Sequence, residues 1–121
     1  MCKMEISEDI KRMVENNVVA LASVNKNNTP RNIAVAYVKV KDNKIVITAN
    51  YMNTTLKNIR NNPNVSMVVL DNNGKGYRID GITDYFDSGE WYEFVKSMKE
   101  NKNEPCKGAL VVDVREVKNL N

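Results

Sequence analysis

A chain of 121 residues with 42% hydrophobic and 27% charged side chains has the content of one folded domain, spanning 1–121, and lies far from the composition of a disordered segment. Histidine is absent, which excludes Ser-His-Asp triads, Cys-His pairs and H-E-x-x-H metal helices, while two cysteines, Cys2 and Cys106, are too few for a disulfide framework and show no metal-ligand spacing. A net charge of +3, spread over scattered Lys and Arg, suits a phosphorylated small ligand better than a nucleic-acid backbone.

In chain order, Ser7 can cap a first helix, with Glu8 and Asp9 at the positive end of its dipole. Ile6, Ile10, Met13 and Val14 form its apolar side, and the helix should end near Asn16-Asn17. The almost wholly apolar run Val18 to Val24 predicts a buried strand, closed by the turn formers Asn25 to Pro30. A second strand is expected from Arg31 to Lys41. Its Val38-Lys39-Val40-Lys41 half alternates as a half-solvated strand does, but Ile33-Ala34-Val35-Ala36-Tyr37 is apolar on both faces. Something must cover that outer face, and the small alanines leave room for a flat ligand or a partner subunit.

Asp42-Asn43 predicts a tight turn into a third strand, Lys44 to Ala49. Asn50 to Asn53 reads as a loop, and Thr54 to Asn62 as a short helix capped by Asn53 or Thr54 and stopped before Pro63. Val65 to Leu70 is a fourth strand. The Asn72 to Lys75 turn leads to a long fifth, Gly76 to Phe86, in which Gly81 marks a bulge or a close approach. Asp87 and Glu90 have capping-box spacing before a third helix whose Trp91, Phe94, Val95 and Met98 face the core. Gly108 to Val114 is the last strand. Helix, three strands, short helix, two strands, helix and strand, joined by hairpin-length turns, predict an antiparallel sheet curled into a barrel with helices outside.

The succession Val19-Ala20-Leu21-Ala22-Ser23-Val24, Thr29-Pro30-Arg31, Tyr37-Val38-Lys39-Val40, Ile45-Val46-Ile47-Thr48, Asn58-Ile59-Arg60-Asn61-Asn62-Pro63-Asn64-Val65 and Gly76-Tyr77-Arg78-Ile79-Asp80-Gly81 resembles the pyridoxamine 5'-phosphate oxidase-like FMN-binding split barrels, above all their small minimal members. The resemblance covers Val18 to Val117. It implies a mainly β (α+β) fold, a six-stranded antiparallel split β-barrel with peripheral helices, and a homodimer with FMN at the subunit interface. It also implies a site: Ala34, Val35 and Ala36 beside the flavin ring, Thr48, Ala49 and Asn50 on the next strand, and Asn53, Thr54 and Thr55 gripping the phosphate. Family members commonly carry a basic residue where Thr54 or Thr55 stands, so Lys57, Arg60 or another cation is expected to supply that charge. Leu120, apolar and outside any local stripe, is expected near the partner's cofactor. A helix N-terminus is a general anion site, which supports the placement of the phosphate on independent grounds.

The function so implied is an FMN-dependent oxidoreductase or electron carrier serving a small redox substrate or a redox protein, the flavin carrying the chemistry. No metal site is expected, nor any partnership with nucleic acid or membrane. Two other readings stand beside it. The deazaflavin F420 could replace FMN, its longer acidic tail needing a basic groove; a nucleic-acid-binding barrel would stack bases on Tyr37, Tyr77 and Arg78. On the bland side, Thr54-Thr55 can merely cap a helix, Ala34 to Ala36 can merely pack, and Lys39, Lys41 and Lys44 can be a solvated face. With no apolar run near the roughly 18 residues that span a bilayer and no signal-peptide core at the start, the chain is expected to be cytoplasmic.

Overall fold

The computed structural model describes residues 5–120; Cys2 lies outside them. Its three α-helices are α1 (Glu8–Asn16), α2 (Thr54–Asn61) and α3 (Gly89–Lys96), with a 3₁₀ turn at Lys99–Asn101. The strands are β1 (Val19–Val24), β2 (Pro30–Val35), β3 (Val38–Lys41), β4 (Lys44–Ala49), β5 (Asn64–Leu70), β6 (Gly76–Phe86) and β7 (Gly108–Asn119). All pair antiparallel in one curled sheet of order β2-β1-β5-β6-β7-β4-β3.

The split barrel therefore has seven strands where six were predicted. The Arg31 to Lys41 segment is broken at Ala36-Tyr37, because its first half pairs with β1 at one edge of the sheet and its second half with β4 at the other. Those two residues carry the chain across the gap between the edges, and the Thr48 amide donates to the Tyr37 carbonyl at 3.1 Å where the crossing lands.

Alternation along the strands sends one set of side chains inward. Val19, Leu21, Ile45, Ile47, Met67, Val69, Ile79, Leu110, Val112 and Val114 fill the barrel, joined by Ile10, Met13 and Val14 of α1 and Ile59 of α2. A second cluster lies outside the sheet, where α3 and the residues after it cover Val46, Ala109 and Val111 with Val95, Met98 and the half-buried Trp91 and Phe94. Burying this apolar surface is the main term holding the helices to the sheet.

Local signals account for several elements. Ser7 accepts the Ile10 amide at 3.2 Å and starts α1; Asp42 and Asn43, at φ +52° and +59°, form the tight turn between β3 and β4. Gly81 stands at a register shift, where Asp80 opposes Glu116 but Gly81 opposes Val114. A Cβ there would meet the Asp113 carbonyl oxygen at 2.6 Å. Other expectations are corrected. Ser88 makes no capping bond at α3, whose first residue Gly89 has φ +84°, so no capping box forms. The last strand runs on to Asn119 rather than Val114, since β6 is long enough to pair with all of it.

Three lysines in the β3–β4 hairpin carry ion pairs: Lys39 with Glu100 at 2.9 Å, Lys41 with Asp42 at 3.2 Å and Lys44 with Asp113 at 3.5 Å. Asp9 of α1 meets Lys75 at 2.8 Å and accepts the Tyr77 hydroxyl at 2.6 Å, so Tyr77 is engaged with α1. Arg78 pairs with Asp80 and Glu116. No helix among the described residues is long and apolar enough to cross a membrane.

Candidate functional site

Where the chain crosses between sheet edges, a cleft of about 410 Å³ opens against the exposed alanines. Arg31, Ile33, Ala34, Val35, Ala36 and Tyr37 form one wall, Thr48, Asn50, Tyr51, Met52 and Asn53 the other, with Thr55 and Glu104 completing it. The size falls within the range of small-molecule sites, and the lining is a mainly apolar surface with a few convergent polar groups. Ala34 and Ala36 are exposed while Val35 between them points into the barrel, as the strand period requires.

The floor of the cleft is held by one buried residue. Asn101, 3% exposed, donates from Nδ2 to Thr48 Oγ1 at 2.8 Å and to the Val95 carbonyl at 2.8 Å, and its Oδ1 accepts from Asn50 Nδ2 at 3.2 Å. Asn50 Oδ1 in turn accepts the Cys106 amide at 2.9 Å. The polar groups of Thr48 and Asn50 are thus tied to the 3₁₀ turn and to the residue before β7's lead-in. Burial pushes the Cys106 thiol above its ordinary pKa, which keeps it protonated and unreactive.

At the start of α2 the arrangement differs from the expected cap. Asn53 is the N-cap, yet its side chain makes no capping bond; its Oδ1 accepts from Lys107 Nζ at 2.9 Å, and the same ammonium reaches the Met52 carbonyl at 3.0 Å. The first amides of α2 are left without a side-chain acceptor, and no acidic residue sits in the first turn. Thr55, 2% exposed, lines the cleft from the first turn of α2. Asn58, one turn on, donates to Ser23 Oγ at 3.2 Å and Asn25 Oδ1 at 2.8 Å, which fixes the helix against β1.

Of the residues named from the sequence, Ala34, Val35, Ala36, Thr48, Asn50, Asn53 and Thr55 share this one cleft. Ala49 does not line it: it is fully buried, on the opposite face of β4 from its two neighbours. Thr54 and Lys57 face a separate shallow cleft with Lys26 and Arg60, so neither Lys57 nor Arg60 lines the cleft that Thr55 opens on. Leu120 lies at the far end of β7, its amide donating to the Gly76 carbonyl at 3.0 Å. Twelve residues of extended strand, about 40 Å of backbone, separate it from the Gly108 end of β7 that adjoins β4.

The sequence reading missed Arg31 as a lining cation, and missed Lys107, Tyr51, Met52 and Glu104 altogether. Arg31 could have been found, three residues before Ala34 on the same strand. Lys107 and Glu104 could not, since they reach the site from more than fifty residues away.

Among the described residues no three His, Cys, Asp or Glu side chains gather as a metal site.

A family model described as pyridoxamine 5'-phosphate oxidase matches residues 6–121. The uncharacterised protein MJ0282 of Methanocaldococcus jannaschii is 29% identical over 122 residues, covering 97% of this chain and 82% of that protein. Among solved structures, HupZ of Group A Streptococcus superposes with a TM-score of 0.86 at 21% identity, over 95% of this chain and 94% of that one. An FMN-binding protein from Syntrophomonas wolfei subsp. wolfei gives 0.78 at 15% identity, over 92% and 83%.

Proposed function

The chain belongs to the pyridoxamine 5'-phosphate oxidase family, and from that premise we propose that it binds FMN in the β2–β4–α2 cleft and serves as an oxidoreductase or electron carrier for a small redox substrate or a redox protein. The observation that carries this reading is Thr55: a hydroxyl on the first turn of a helix whose N-cap side chain makes no capping bond, lining a cleft walled by alanines. A phosphate answers all three features, accepting from the amides and the hydroxyl and meeting the positive end of the helix dipole. A flat ring system fits beside Ala34 and Ala36, where no side chain beyond Cβ intrudes.

When bound, the flavin supplies hydride or electron transfer; the chain supplies the rest. Arg31, on the lining of the cleft, would balance phosphate charge. Lys107 holds the Met52-Asn53 turn so that α2 keeps its amides toward the cleft. Asn101, through Thr48 and Asn50, keeps the second wall in place.

The proposal includes a homodimer. Support comes from β1, β5 and β6, where Ala22, Val24, Ser66 and Ile82 line a groove with Arg78 and Asp80, and no residue of the described helices is among its lining. A second copy related by a two-fold axis would present the same mixed-charge surface to itself. In such a dimer the remote Leu120 could reach a partner's cleft, a contribution the single chain does not allow.

The test is the spectrum of the purified protein followed by parallel fluorescence titrations with FMN, riboflavin and F420. Yellow protein with a flavin spectrum, and FMN bound much more tightly than riboflavin, is the expected result. Equal affinity for FMN and riboflavin would place the phosphate elsewhere, and preferential binding of F420 would replace the cofactor.

A further inference from the structure

We infer that the groove between α2 and the β1–β2 turn docks the acidic surface of a partner protein. The groove is separate from the cofactor cleft, and its partner is assigned independently of FMN.

This groove, of about 810 Å³, carries three exposed cations and no acidic residue on its lining. Lys26 stands on the turn, while Lys57 and Arg60, three residues apart, share one face of α2. The rest of the lining is amide and hydroxyl, from Asn25, Asn27, Thr54, Asn58 and Asn61. None of the ion pairs among the described residues includes Lys26, Lys57 or Arg60. Lys39, Lys41, Lys44 and Lys75, by contrast, each meet a carboxylate. Arg60 leans on the Tyr85 ring at 5.9 Å and borders a second groove holding Asp84 and Asp87, so of the three cations Lys26 and Lys57 carry the less balanced charge.

The two lips are tied together. Buried Asn58 donates from Nδ2 to Asn25 Oδ1 at 2.8 Å and to Ser23 Oγ at 3.2 Å. Within the turn, the Asn25 amide donates to the Thr29 carbonyl at 2.8 Å, and the Thr29 hydroxyl to Asn27 Oδ1 at 2.6 Å. The cations therefore project from a fixed frame, which lowers the ordering cost of docking.

Three solvated cations on flexible stems hold a small free anion weakly, since each exposed pair contributes little. They gain when several carboxylates are presented on one surface, because the later contacts become intramolecular. No aromatic residue lines the groove, so a single-stranded nucleic acid finds no ring on which to stack. An acidic protein surface matches both the donors and the charge, and complementary charge speeds encounter and fixes orientation. Thr54 lines this groove and Thr55, the next residue, lines the cofactor cleft, so a docked partner sits beside the wall of that cleft.

The experiment reads the fluorescence anisotropy of a labelled oligoglutamate peptide titrated with the full chain, in parallel with an oligothymidylate of equal length and with inorganic pyrophosphate as competitor. The peptide should bind more tightly than the oligothymidylate, and pyrophosphate should displace it only in large excess. Raising the salt from about 0.01 M to about 0.15 M, which shortens the Debye length from roughly 30 Å to roughly 8 Å, should weaken the peptide severalfold. Lys26→Gln, Lys57→Gln and Arg60→Gln combined should cost about tenfold in affinity. Lys96→Gln, Lys99→Gln and Lys102→Gln combined remove the same charge elsewhere and should cost less than about twofold. All six side chains are exposed, so both variants keep the core, which thermal melts check. Equal losses in the two triple variants would reduce the effect to net charge and overturn the inference. Failure of the peptide to bind, tighter binding of the oligothymidylate, or displacement by stoichiometric pyrophosphate would each overturn it as well.

Discussion

Replacing Thr55 by valine removes one hydroxyl and keeps the branched shape that the first turn of α2 packs. Thr55 lines the cleft, and the side-chain bonds that fix α2 against β1 are made by Asn58, so the change removes none of them. In the ligand-free protein the change should leave stability about equal, because a hydroxyl that lines the cleft gives way to a methyl group of similar size. Bound phosphate reverses the balance. A hydrogen bond to a charged group contributes about 1.5–3 kcal/mol, so FMN affinity should fall about 10- to 150-fold. Riboflavin, which has no phosphate, should bind wild type and Thr55→Val alike. Thr55→Glu, placing a carboxylate against the phosphate, should lose far more, and Thr55→Lys should bind FMN more tightly than Thr55→Val. Parallel fluorescence titrations with the two flavins, and thermal melts without ligand, read all of these quantities. A fall in riboflavin affinity equal to that for FMN, or a clear loss of ligand-free stability in Thr55→Val, would show that the hydroxyl serves the fold and not a phosphate.

Three further outcomes are expected. Asn101→Ala should lower unfolding free energy by about 1–3 kcal/mol in urea titrations, since it strands the partners of three hydrogen bonds in a buried place, and it should weaken ligand binding through the loosened wall. The Lys75 ammonium first, then the Tyr77 hydroxyl, holds the Asp9 carboxyl down at about 2 from an ordinary 3.8. A lowered folded-state pKa means that the stabilisation is complete above pH 3.8 and fades as the pH falls toward 2. Thermal melts across that window should therefore show a steeper decline for wild type than for Asp9→Asn. Removal of residues 119–121 should leave the barrel folded by circular dichroism while weakening FMN binding, provided that sedimentation finds a dimer; a stable monomer at micromolar concentration would refute the interface and the role of Leu120 together.

The sequence by itself determined what depends on neighbours a few residues apart. Ser7 reads as a cap because its acceptor reaches an amide three residues on, and Asp42-Asn43 reads as a turn because both residues tolerate positive φ. The alternation of Leu21, Ile45, Ile47 and Met67 names an inner face whatever the topology. The seven cleft residues foreseen came from a family resemblance that covers β2, β4 and the start of α2. Tertiary structure alone decided the break at Ala36-Tyr37, since β-branched and apolar residues suit a strand equally well whichever edge they join, and only the closure of the sheet sends the two halves to opposite edges. It likewise decided that Asn53 answers Lys107 instead of capping α2, that Arg31 and not Lys57 shares the cleft with Thr55, and that Glu104 meets Tyr51. Each of these pairings joins segments with no common periodicity, and the energy that brings them together is the burial of the barrel core, to which the paired residues themselves contribute almost nothing.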